Sequence, residues 1–212
     1  MAEMIRYLGG FVGAEGARAT RLAEQVETWR HSVEQLAMVA QRFLQTVYAG
    51  LTKSLQSEWQ YLQQVVPRLR ETFGPVKAAL RDKFFPALLQ VDAATVERFC
   101  PLWALPPKQG GLGVRDPTTT GSRLHACSKD VTSVLTNALM PDSASFGLAE
   151  YMAHARAARR NMQAARIGDE AKALREYLRD KSHAEVRRTE RGKECGTWLM
   201  TTPLQLNGTA LT

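Results

Sequence analysis

Cysteine is scarce in this chain of 212 residues. Cys100, Cys127 and Cys195 lie far apart and cannot all pair, which argues against a disulfide framework and for an intracellular, non-secreted protein. Long apolar runs are missing too. Nowhere do 18 apolar residues follow one another, so no membrane-spanning helix is expected. The first ten residues carry Glu3 and Arg6 and do not form a signal peptide. The sequon at Asn207-Gly-Thr therefore has no secretory context.

The residues that carry chemistry are just as thinly spread. His31, His125, His154 and His183 are scattered. The closest pair with a thiol, His125 and Cys127, is two residues apart on an expected helix and points in two directions, which is unsuitable for one metal ion. No Gly-x-Ser-x-Gly elbow is present. The seven aspartates, Asp82, Asp92, Asp116, Asp130, Asp142, Asp169 and Asp180, contain no adjacent pair. Two-metal phosphoryl transfer needs carboxylates that clamp ions about 4 Å apart, so no catalytic centre is legible. Gly110, Gly111 and Gly113 lack the Gly-Lys-Ser/Thr ending of a phosphate loop, and a tight turn is the better reading.

What the chain has in quantity is helical periodicity. Leu22, Val26, Trp29, Val33 and Leu36 step by three and four along one face. Leu44, Tyr48, Leu51, Leu55, Trp59, Leu62 and Val66 predict a second helix of six turns, closed by Pro67. Phe73, Val76, Leu80, Phe84 and Leu88 predict a third, opened by Glu71 or Thr72 and kinked near its end by Pro86. A short helix over 93–105 ends at Pro106-Pro107. After the glycine-rich break at 108–117, Asp116 is placed to cap a helix that starts on Pro117, runs through Leu124, Cys127, Val131, Leu135 and Leu139, and stops at Pro141. Trp29, Trp59, Tyr61 and Trp103 are assigned to the core.

Beyond Leu148 the character changes. Between His154 and Lys193 there are 12 Lys and Arg against 6 Asp and Glu, so that stretch holds almost all of the chain's net charge of +7. Leu174, Tyr177 and Leu178 form a thin apolar stripe, and Gly168-Asp169 is expected to split the stretch into two helices. Such a surplus suits a phosphate backbone. Only Tyr151 and Tyr177 interleave with the basic residues, so base stacking is not signalled.

The order of short motifs adds a resemblance. Arg6-Tyr-Leu-Gly-Gly-Phe-Val-Gly13 precedes the Trp29 helix; Tyr48-Ala-Gly-Leu-Thr52, Ser57-Glu-Trp-Gln-Tyr-Leu62 and Pro86-Ala-Leu-Leu follow it. Next come Leu105-Pro-Pro-Lys-Gln-Gly-Gly-Leu-Gly-Val-Arg-Asp-Pro117 and Cys127-Ser-Lys-Asp-Val-Thr132, and Trp198-Leu through Asn207-Gly-Thr-Ala-Leu211 ends the series. This resembles the region downstream of the palm in reverse transcriptases of eukaryotic retrotransposons. The likeness covers nearly the whole chain, and its most specific piece is the block at 105–117.

The resemblance implies a palm-closing strand at Tyr7-Leu8-Gly9 and a thumb-like helical domain that grips template–primer duplex. The palm, the fingers and the Tyr/Phe-x-Asp-Asp motif that would bind two magnesium ions are absent from these residues, as is any later Cys/His region. The chain is expected to hold no cofactor and to have no polymerase activity alone.

The expected fold is mainly α: a multi-helix bundle with one short N-terminal strand or hairpin and a long basic helical tail. Residues 1–14 form the palm-closing remnant, 15–140 the bundle, and 141–212 the basic tail and its C-terminal segment. The residues expected to contact phosphates are Arg156, Arg159, Arg160, Arg175, Arg179, Arg187 and Arg188, with Lys108 and Arg115 beside the glycine turn. Nucleic acid is the expected partner, beside the missing palm and fingers, in nucleus or cytoplasm and without a membrane. The alternatives are a helical protein-interaction module and a retroelement remnant with no function of its own.

Overall fold

A computed structural model of the chain describes residues 5–7, 10–12, 14–67, 69–107, 111–140 and 146–178. These residues are mainly helical, as the periodicity requires. Strand β1 (Ile5–Tyr7) pairs antiparallel with β2 (Gly10–Val12), with Ile5 opposite Val12 and Tyr7 opposite Gly10.

Helix α1 (Glu15–Val39) buries Leu22, Val26, Trp29 and Val33, the four positions that recur every three or four residues. The second apolar run folds as α2 (Leu44–Ala49), a π-helical segment (Gly50–Leu55) and α3 (Gln56–Val65). The helix expected over 44–66 thus runs as foreseen, apart from a widened middle. It ends where Val66 turns extended (φ −117°, ψ 124°) ahead of Pro67.

Neither Glu71 nor Thr72 caps the third helix. The chain makes a turn with Gly74 N–H donating to Glu71 O, and α4 (Gly74–Ala79) begins with Pro75 in its first turn. A π segment (Leu80–Phe84) joins α4 to α5 (Phe85–Leu89). Pro86 has no N–H to give to the carbonyl four residues back, and the π turn falls just before it, where that ladder must change. Gln90, at φ +54°, closes the helix in the left-handed conformation.

Helix α6 (Ala93–Trp103) starts on Asp92, whose Oδ1 accepts from Thr95 N–H at 2.7 Å. Helix α7 spans Pro117–Ala138 and α8 spans Leu148–Leu178. The expected break at Gly168-Asp169 does not occur. The α-helix continues through the glycine, which costs only about 1 kcal/mol inside a long helix; Asp169 pairs with Arg123 of α7 instead of capping a new helix, and Glu170 faces Arg166 one turn back.

The main core lies among α1, the helix pair α2–α3, α4, α5 and α6. At its centre Trp29 meets Trp59 edge-on at 6.3 Å and stacks on Phe73 at 5.8 Å. Trp29 Nε1 donates to Glu58 Oε2 at 3.0 Å, so the indole is buried without losing its polar partner. Trp103 is half-buried at the edge of this core, 4.9 Å from Phe85. Tyr61 corrects the core assignment: it is 41% exposed, on the outer face of α3.

Helix α3 packs on α7, and α7 packs on α8. The second contact is thin. Val131, Ala155 and Ala158 form its buried centre, with Cys127 and Tyr151 around them. Alanines on α8 let the backbones approach closely but remove little apolar area, so the basic helix is held by a small patch and a few polar ties. His154 Nε2 lies 3.1 Å from Asp130 Oδ1 and is one of those ties.

Candidate nucleic-acid interface

The glycine block is built by the backbone first. Leu112 N–H donates to Trp103 O at 2.9 Å and Gly113 N–H to Leu105 O at 2.8 Å, which folds the segment back onto the end of α6. Glycine is needed at two positions for different reasons. A methyl group on Gly111 would lie 2.1 Å from the Leu105 carbonyl oxygen, and Gly113 has φ +66°.

Side chains of the neighbouring helices then fix the turn. Tyr48 OH donates to Leu112 O at 2.6 Å. Gln56 clamps it from both sides: its Nε2 donates to Gly113 O at 3.1 Å, and its Oε1 accepts from Arg115 N–H at 2.9 Å. Gln63 Nε2 donates to Pro117 O at 2.5 Å, while Oε1 accepts from the Thr120 hydroxyl at 3.0 Å. Asp116 caps α7 through Thr118 N–H at 2.8 Å and pairs with Lys77 at 2.7 Å. Burial works to raise the Asp116 carboxyl, but the Lys77 ammonium and the Thr118 donors outweigh it and hold it below its ordinary value. The buried glutamines follow the rule that an interior amide finds partners, and here those partners are the backbone of the turn.

The basic residues fall into two groups. Arg156, Arg159, Arg160 and Arg175 are exposed on α8. Arg156 and Arg160 are one turn apart and share a stripe, with Arg159 beside them. Arg175 lies 15 residues beyond Arg160, about 22 Å along the axis at 1.5 Å per residue. None of the four takes part in an ion pair among the described residues. Such cations offer a phosphate backbone donors with no carboxylate to displace.

Arg115 is in a different place. It is half-buried beside the turn, where Nη1 donates to Gln60 Oε1 at 3.3 Å, and burial together with the neighbouring Arg166 holds its pKa below the ordinary value. The fold therefore brings Arg115 together with Arg166 and separates it from the exposed arginines. Arg179, Arg187, Arg188 and Lys108 lie outside the described residues.

Sequence reasoning missed the polar clamp. Gln56, Gln60 and Gln63 stand at helical spacing of four and three, a polar row along the α3 helix beside the apolar one, and that was the available signal. Arg166 was not singled out from the other basic residues, because what sets it apart is its closeness to Arg115 in space.

Among the described residues no group of three or more His, Cys, Asp or Glu is placed to hold a metal ion. Among them, too, no helix is long and apolar enough to cross a membrane. No protein-family model, curated protein or solved structure matches this chain.

Proposed function

We propose that this chain positions nucleic-acid duplex as the thumb-like part of a retroelement reverse transcriptase, and that it catalyses nothing alone. The observation that carries this reading is the row of exposed arginines on α8, Arg156, Arg159, Arg160 and Arg175, which lack carboxylate partners among the described residues. Nucleic acid would take up that uncompensated charge and release its own counterions. The motif order along the chain supplies the polymerase context. No Tyr/Phe-x-Asp-Asp motif occurs in the 212 residues, so the magnesium ions of nucleotide transfer would belong to a palm elsewhere.

The test is binding of the full chain to an RNA–DNA duplex across a salt series. Affinity should fall steeply with salt, and the double variant Arg156→Gln/Arg160→Gln should flatten the log–log slope by about two. Absence of duplex binding at low salt, from folded protein, would refute the reading.

A second reading rests on a separate observation. Leu139 and Met140 at the end of α7 and Phe146, Leu148 and Met152 at the start of α8 are exposed, and exposed large apolar side chains of this kind suit a partner protein. Self-association that is insensitive to salt, in protein that binds no duplex, would favour it.

A further inference from the structure

A cleft runs between the glycine turn and α8. It comprises two adjoining cavities of about 330 Å³ and about 200 Å³, and Ala104, Arg115, Arg166 and Glu170 line both. Their charges do not balance. Arg123 and Asp169 at the edge pair with each other, and Asp116 is matched by Lys77. That leaves the guanidinium groups of Arg115 and Arg166, with the exposed Lys53 ammonium at the smaller cavity, against the single carboxylate of Glu170.

Their hydrogen bonding is incomplete as well. A guanidinium carries five N–H donors. Arg115 uses one side-chain donor, in the 3.3 Å bond to Gln60, among the described residues. Arg166 Nε stands 3.3 Å from Glu170 Oε1, yet Arg166 Nε and Glu170 Oε2 are both buried without a hydrogen-bond partner. Buried polar atoms in native proteins are nearly always satisfied, so the unpaired Arg166 Nε, in a cavity with a surplus of positive charge, marks the place of a missing acceptor, and the unpaired Glu170 Oε2 beside it is the one group there that opposes an anion.

We propose that this cleft binds a phosphate group, gripped by Arg115 from the turn and Arg166 from α8. The ligand is an oxyanion because the cleft has surplus donors and surplus positive charge. It is phosphate in preference to carboxylate because the two cations come from different elements. A tetrahedral anion presents oxygens in several directions, whereas a carboxylate matches one planar fork. Apolar Leu105, Leu124 and Met162 line the larger cavity beside the cations and leave room for whatever the phosphate is attached to. The inference stands apart from the duplex reading, which rests on the exposed arginines of α8.

Titration calorimetry of the full-length chain with inorganic phosphate tests it, with acetate for comparison. Saturable one-site binding of phosphate, stronger than that of acetate, is expected. Arg166→Gln, on a helix packed outside the main core, should weaken it roughly tenfold, and Arg115→Gln should do the same, since each removes a charge-assisted hydrogen bond. Glu170→Gln keeps the shape and removes the opposing charge, so it should tighten binding by roughly threefold, an effect that loss of structure would not produce. Circular dichroism establishes that each variant is folded. Absence of saturable phosphate binding by the folded parent overturns the proposal. So does an unchanged affinity in folded Arg166→Gln, or a loss in folded Glu170→Gln. Displacement of bound phosphate by RNA–DNA duplex would assign the group to a nucleic-acid backbone. Displacement by a nucleoside monophosphate but not by duplex would assign it to a free phosphomonoester. Either result supports the site.

Discussion

Replacing Gln63 by Leu removes the amide that ties α3 to the start of α7 and leaves the volume nearly unchanged. Gln63 is fully buried, and two hydrogen bonds go with it: the 2.5 Å bond to Pro117 O and the 3.0 Å bond from the Thr120 hydroxyl. Neither partner is left orphaned. Pro117 O is positioned to accept from the amide four residues on in α7, and the Thr120 hydroxyl keeps its 3.2 Å bond to Asp116 O. The loss should therefore be the net value of two bonds, about 2 kcal/mol, and not the full penalty of stranded polar atoms. For a chain of this size that lowers Tm by roughly 4–8 °C.

Gln60→Leu is the matched control. Gln60 is on the same helix, but among the described residues its Nε2 has no partner and its Oε1 accepts only the 3.3 Å bond from Arg115. Helix propensity is common to both substitutions, and the apolar gain is at least as large at the fully buried Gln63 as at the partly exposed Gln60, so a larger loss at Gln63 is due to the clamp. Urea unfolding followed by tryptophan fluorescence should give a loss for Gln63→Leu at least about 1 kcal/mol larger than for Gln60→Leu, at equal m-value. Equal losses, or a more stable Gln63→Leu, would refute the claim that the amide holds the turn.

Other consequences can be checked with the same protein. Gly113→Ala forces a methyl-bearing residue to φ +66° and should cost about 1 kcal/mol, whereas Gly111→Ala drives a methyl into the Leu105 carbonyl and should cost clearly more; chemical denaturation ranks the two. Because the Asp116 carboxyl lies below its ordinary value of 3.8 when folded, the stability it contributes is fully present above that value and is lost as pH falls through the lower folded one. Asp116→Asn should accordingly flatten the acid limb of a stability–pH curve below about pH 4, and an unchanged limb would contradict the Lys77 pairing. Ala158→Leu places a large side chain in the tight α7–α8 contact, where Ala158 is 5% exposed. It should cost about 1–3 kcal/mol, felt as faster hydrogen exchange along α8 while the amides of α1 stay protected.

The amino-acid order alone determined where helices form and which faces they bury. Spacings such as Leu22–Val26–Trp29–Val33 are local consequences of 3.6 residues per turn and need no knowledge of the partner. It determined helix boundaries as well: Val66 before Pro67 at the end of α3, and Asp116-Pro117 at the start of α7, act through the backbone of one or two residues. Where more than one outcome was open locally, packing decided. Gly168 did not break α8, since one glycine inside a long helix costs only about 1 kcal/mol, and Asp169 pairs with Arg123 across the helix pair; Tyr61 faced outward although it is aromatic. The polar row of α3 acquired its purpose only when residues 54 to 59 positions further on were folded against it. The meeting of Arg115 with Arg166 is likewise a product of tertiary structure. Periodicity assigns a residue to a face of its own helix, but only the packing of separate elements sets which charges share a cavity and which remain without a counter-charge.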